Sequence, residues 1–322
     1  MRRDTLQKTQ SASIATQQGY HSTVGNRGTN YAFAGFTQRR YFTSDRFIPL
    51  NERFERADGK PLKGFGLEIE VECSSITNDD VLTEIMDKIV TQYFPDFYFK
   101  YQRDGSLGGR SSVEAITQPA TKEFLRNNYP AFKVMFNSYF SALGISASAS
   151  GNCGMHVNVS LGLFGTTKKT QDEAIRKLFY IINKHYNFFV RAFYRNPSRT
   201  DYCARMNSTK EYAQGMDLNN MSGSHGNCLN YGHYPEGRIE IRLVGGQKDF
   251  ACFRNTMETV FHLIDAVKVI SWKDCDSLPA IFKGCNAHVY DRISTYCLSA
   301  GVISQADVDA IRDTANLDVR YI

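Results

Sequence analysis

Four stretches of this chain read as strands whose polar positions carry reactive chemistry, and three of them alternate strictly between apolar and polar side chains. "GFGLEIEVEC" sets Phe65, Leu67, Ile69 and Val71 against Glu68, Glu70 and Glu72. "SVEAITQ" carries Glu114, and "CGMHVNVSL" sets Met155, Val157, Val159 and Leu161 against His156, Asn158 and Ser160. "GRIEIRLVGG" sets Ile239, Ile241 and Leu243 against Arg238, Glu240 and Arg242. Successive side chains of an extended chain point to opposite faces, so each stretch predicts a strand with one apolar face and one loaded face. If the four strands share a sheet, their loaded faces converge on one cleft.

The segments between them read as helices and turns. "TNDDVLTEIMDKIVTQYF" puts Val81, Ile85 and Ile89 on one helical stripe, with Thr77 or Asn78 as the N-cap. A strand is expected over 97–103, ending in the turn "DGSLGG", and a helix over 121–143, interrupted at Pro130 and closed by Gly144. Residues 168–194 read as one long helix, 196–226 as a Gly- and Asn-rich loop, and 227–232 and 237–244 as short strands. Helices are expected near 249–271, 288–299 and 304–315. Hairpin-like strands mixed with long helices predict an α+β fold, an antiparallel sheet with helices packed on one face.

Residues 1–62 lack periodicity and are set apart as a basic, partly ordered N-terminal arm, leaving 63–322 as the folded domain. Residues 1–63 carry 11 Lys or Arg against 5 Asp or Glu, an excess larger than the whole chain's net charge of +5. The remainder is therefore nearly neutral, and the basic charge belongs to the arm. Its aromatics Tyr31, Phe33, Phe36, Tyr41 and Phe42 interleave with Arg27, Arg39 and Arg40, a composition suited to contact with nucleic acid or a neighbouring subunit, or to packing on the body. The eight cysteines are dispersed with no CxxC pair, which in a chain of this size predicts free thiols in a reducing compartment. No apolar run is long enough to span a bilayer and the start has no secretory h-region, so a cytoplasmic location without membrane contact is expected.

Carboxylates crowded on one cleft repel unless something positive sits among them, and hard divalent cations are held by carboxylates together with phosphate oxygens. Guanidiniums grip phosphate in a planar fork. Glutamates, an imidazole and two guanidiniums on neighbouring strands thus point to a metal–nucleotide phosphate site. Each motif alone has a plainer reading: a solvated ExE face, a cross-strand charge ladder for RxExR, a structural histidine.

The set "GFGLEIEVE", "DGSLGG…VEAITQPA", "GNCGMHVNVS" and "GRIEIRLVGG", in that order, resembles the amidoligases of the glutamine synthetase-like carboxylate–amine ligase superfamily. The resemblance covers scattered motifs over about 64–250. It implies a curved antiparallel sheet of the glutamine synthetase half-barrel kind and an ATP- and Mg²⁺-dependent ligase that joins a carboxylate to an amine through an acyl phosphate. It implies two or three Mg²⁺ ions, with Mn²⁺ as a substitute. Glu68, His156 and Glu240 look like ligands of the ion nearer the nucleotide phosphates, and Glu70 and Glu114 of the ion nearer the substrate carboxylate. Asp104 is either a further ligand or an Asx-turn residue. Asn158 and Ser160 stand where the family's strand meets ATP, and Arg238 and Arg242 where it grips phosphate and supports catalysis. Asn158 occupies the place of the synthetases' second histidine, and Cys153 the place of a serine. No residue matches the synthetase flap, so the carboxylate and amine can be small molecules or peptide groups. His225 and His233 are candidate bases for the amine. The company this family keeps implies a phage or microbial source, and an oligomer is compatible with it.

Two other readings compete. Cys153-x-x-His156 and His225-x-x-Cys228 have spacings that tetrahedral zinc accepts, which would make a zinc-stabilised binding protein. Alternatively the body is a ligase-like fold without activity, a structural or assembly protein whose arm binds nucleic acid or a subunit.

Overall fold

The computed structural model describes residues 63–94, 97, 99–102, 111–147, 153–207, 209–221 and 226–321. The expected N-terminal arm, the Asp104 turn and His225 lie outside them. The fold is α+β, an open antiparallel sheet with packed helices. The chain forms two compact units, one built from Gly64–Val157 and Gly246–Phe250, the other mainly from Asn158–Gly245 and Ala251–Ile322.

In the first unit, β1 (Phe65–Cys73) leads into α1 (Asp79–Tyr93), β2 (Phe99–Gln102) and β3 (Ser112–Thr117). Next come α2 (Lys122–Asn127), α3 (Tyr129–Val134), a π-helical stretch Met135–Phe140 and the two-residue β4 (Ile145–Ser146). The strand order is β2-β3-β1-β5, with β4 also on β1; β5 is Met155–Ser160, and its first three residues belong here. The alternation in β1 has its expected result: Phe65, Leu67, Ile69 and Val71 are all essentially inaccessible. On the opposite face Glu70, Glu72 and Glu114 are also buried, and β3 is buried at every position.

An aromatic cluster fills the space beside β2, with Phe94 edge-on to Phe132 at 4.8 Å and Phe97 edge-on to Phe99 at 5.1 Å. The expected break at Pro130 is a restart. α2 is capped by Thr121, whose hydroxyl accepts from the Phe124 amide, and Pro130 sits in the first turn of α3, where a missing N–H costs nothing. Gly144 closes the run at φ 66°, a conformation glycine adopts without strain.

The second unit contains the end of β5, then α4 (Lys168–Lys184), α5 (Tyr186–Ala192) and α6 (Lys210–Gly215). The antiparallel pair β6 (Leu229–Asn230) and β7 (Arg238–Ile241) follows, then α7 (Phe250–Val269, from Ala251 onward), α8 (Leu278–Ile281), α9 (Ala287–Asp291) and α10 (Gln305–Arg312). The helix expected over 168–194 is two helices. It breaks at His185, whose ring Nε2 lies 3.1 Å from the Cys275 carbonyl. Thr167 and Thr170 form the capping box that starts α4.

The strand expected over 237–244 is shorter because its end is recruited elsewhere. The Arg242 amide still reaches the Cys228 carbonyl (2.9 Å), but the Gly245 amide donates to Phe193 O (3.0 Å). Residue 194, next in the chain, is a tyrosine at φ 57°, and the Arg292 guanidinium is stacked between the Tyr194 and Tyr296 rings, 3.2 and 3.7 Å from their centroids. A Cβ on Gly245 would collide with the Tyr194 backbone, so this close approach requires glycine.

All eight cysteines are free and buried. Among the described residues, no helix is long and apolar enough to cross a membrane.

Candidate metal centre

In the first unit, β1 and β3 are in a register that places Glu70 directly opposite Glu114. Both are 5% exposed. Like charges directly opposed on neighbouring strands are destabilising even at a surface, and burial strengthens the effect. β5 adds His156, 8% exposed, from the other side of β1. One ligand atom each of Glu70, Glu114 and His156 lies within 4.8 Å of the other two. At that spacing, and an effective dielectric of about 20, two ionised carboxylates repel by roughly 3 kcal/mol.

The imidazole is held on both edges. Its Nδ1 is 3.1 Å from Glu68 Oε2 and its Nε2 is 3.8 Å from Glu70 Oε1. A neutral His156 that donates Nδ1–H to Glu68 keeps its Nε2 lone pair on the Glu70 side. Metal-binding histidines use this arrangement: the second nitrogen is fixed by a carboxylate, and that contact sets the tautomer. The Gly154 backbone amide donates to Glu70 Oε2, which fixes the other oxygen of that carboxylate. Oxygen ligands with one imidazole suit Mg²⁺ and Mn²⁺ rather than a soft-ligand zinc site.

The structure thus brings four expected residues together in this unit: Glu68, Glu70, Glu114 and His156. His156 shares a ligand set with Glu70 and Glu114, and Glu68 is its hydrogen-bonding carboxylate.

The other expected residues that the structure describes belong to the second unit. Glu240 is 2% exposed, with Oε1 accepting from Arg242 Nη1 at 2.6 Å and Oε2 accepting from the Asn230 amide at 2.7 Å. Arg238 Nη1 donates to the Asn158 carbonyl oxygen, and its Nη2 is 3.6 Å from Glu236. Asn158, expected at the nucleotide, therefore already holds a guanidinium. Ser160, at the end of β5, is buried. His233, one of the two candidate bases, has Nδ1 2.9 Å from Glu236 Oε2, so Glu236 links it to Arg238.

Among the described residues no metal-capable group includes a cysteine, and His225, one of the four residues of the zinc reading, lies outside them. The Cys228 thiol donates to Asn183 Oδ1, and burial pushes its pKa up to about 12. Cys153 is buried with its sulfur near the Ser146 carbonyl.

Sequence reasoning missed Asn230 and the Gly154 amide. Asn230 had a usable signal. Folding 227–232 onto 237–244 about the Tyr234–Pro235 turn places it opposite Glu240. The Gly154 amide had none, because a backbone donor has no side-chain signature. No protein-family model and no curated protein matches this chain.

Proposed function

We propose that this protein is an ATP- and Mg²⁺-dependent carboxylate–amine ligase that works through an acyl phosphate. The observation that carries the reading is the buried group Glu70, Glu114 and His156, two carboxylates and an imidazole on adjacent strands with ligand atoms within 4.8 Å of one another. Such a group is a poor structural choice and a good cation site. The motif resemblance adds the reaction class.

When bound there, Mg²⁺ or Mn²⁺ supplies Lewis-acid charge to phosphate and carboxylate oxygens. Glu70, Glu114 and His156 are its proposed ligands, and Glu68 holds His156 in the ligating tautomer. The second unit's Glu240 is proposed as a further cation ligand, with Arg238 and Arg242 as the guanidiniums that grip phosphate. In the first step a substrate carboxylate oxygen bonds to the γ-phosphorus, and the bond to the ADP oxygen breaks. In the second, the amine nitrogen bonds to the acyl carbon, phosphate leaves and the amine gives up a proton. Positive charge on the equatorial phosphoryl oxygens favours the first step, and Arg242 is the residue proposed to contribute it.

Purified protein given ATP, Mg²⁺, and mixed carboxylates and amines should release phosphate only when both pools are present. Glu114→Ala and Glu240→Ala should each abolish the release. Phosphate release that survives both substitutions would remove the assignment, and so would the failure of any carboxylate–amine pair together with the absence of Mg²⁺-dependent ATP binding.

A further inference from the structure

We infer that Asn230 is a positioning residue for Glu240: it aims the carboxylate at a cation without cancelling its charge. This inference rests on the proposed role of Glu240 as a cation ligand. Asn230 is 2% exposed and lies on β6 directly across from Glu240 on β7. Its side-chain oxygen accepts the Gly232 amide at 2.9 Å. A backbone N–H can only donate, so this contact decides which way the amide is turned and leaves Nδ2 as the donor to Glu240 Oε2, 2.7 Å away. Arg242 takes the other oxygen at 2.6 Å. The carboxylate is therefore held at both oxygens and its plane is set by two strands.

The choice of amide has a physical consequence. A second Arg or Lys at 230 would hold Glu240 equally well but would add a second positive charge beside one carboxylate, and a divalent cation would then be repelled. Threonine or serine is too short to span between strands with the same reach. An amide donates a directional bond and carries no net charge. The Gly232 contact comes from the turn that follows β6, so the local backbone sets the rotamer and the ligand need not.

The test is Mn²⁺ titration of the full-length protein, followed by electron paramagnetic resonance of the free ion, for wild type, Asn230→Ala, Asn230→Asp and Glu240→Gln. Fold is checked by circular dichroism and the unfolding midpoint. Loss of the positioning amide should weaken Mn²⁺ binding about 10–100-fold in Asn230→Ala, the range seen when groups behind a ligand are removed. In a Glu240→Gln background, Asn230→Ala should cause no further loss. Asn230→Asp adds a charge and should change the affinity without restoring the wild-type value. If the single variants fold and bind Mn²⁺ within twofold of wild type, Asn230 is structural only and the inference is overturned. A lowered midpoint with unchanged Mn²⁺ affinity overturns it equally. If wild type binds no Mn²⁺, the ligase reading falls and this inference with it, so the two failures are distinguishable.

Discussion

The two units treat a buried glutamate in opposite ways. In the second, Glu240 is compensated locally, with one oxygen on Arg242 and the other on Asn230. In the first, Glu70 faces Glu114 across a strand pair, with His156 beside it and Glu68 on the far edge of the imidazole. A guanidinium and an amide on one carboxylate lower the cost of burying it. Two carboxylates set opposite each other beside an imidazole form a group suited to sharing a cation.

The largest effect should come from undoing the compensated side. Arg242→Met leaves Glu240 buried beside a neutral amide, and breaking such a pair typically costs about 3–5 kcal/mol. Urea unfolding should show the midpoint falling sharply, and Arg242→Met/Glu240→Gln should recover most of the loss. A single variant as stable as wild type would mean that Glu240 is not dependent on its guanidinium.

The carboxylate pair of the first unit should respond with the opposite sign. In EDTA at pH 8, Glu114→Gln removes the repulsion with Glu70 and should stabilise the protein by about 2–3 kcal/mol. With saturating Mn²⁺ the order should reverse, because wild type gains binding energy that the variant cannot. Thermal melts with and without Mn²⁺ check this crossing. If Glu114→Gln destabilises the protein in EDTA, the contrast between the units is wrong.

The smallest effect serves as a control in the first unit. Asp87 on α1 is 1% exposed, and neither of its oxygens has a hydrogen-bond partner among the described residues. Burial raises its pKa from 3.8 to about 7, opposed in part by Lys88. A pKa raised by folding favours the folded state fully below the unfolded value near 4, and that advantage is lost as pH rises through about 7. Asp87→Asn should therefore stabilise the protein at pH 8. The gain should be only about 1–2 kcal/mol, since the amide also stays unpaired. The gain should vanish below about pH 4 and should not depend on Mn²⁺. A pH-independent difference would show that the carboxylate is paired in solution.

Much of this was legible from residue order. Alternation in β1 and β5 identified the strands and told which side chains share a face, because the side-chain period of a strand is two. Pro130 and Gly144 marked helix boundaries, through a missing N–H and a positive φ. Glu68, Glu70, Glu114 and His156 were candidates on type and spacing alone. Other features were hidden because they depend on partners distant in sequence. The break at His185 and the early end of β7 come from contacts with Cys275 and Phe193, which no local pattern announces. The burial of the charged face was equally invisible, since one strand's sequence does not say what covers it.

The sequence by itself determined which segments extend, which coil, and which side chains carry charge on a shared face, because backbone geometry fixes those periodicities locally. Only the tertiary structure decided that Glu70 sits opposite Glu114, that Glu68 rather than Glu70 meets His156 Nδ1, and that Asn230 holds Glu240. Those facts are matters of register between strands, and a register shift of one residue would turn each of these side chains to the other face without changing a letter of the sequence.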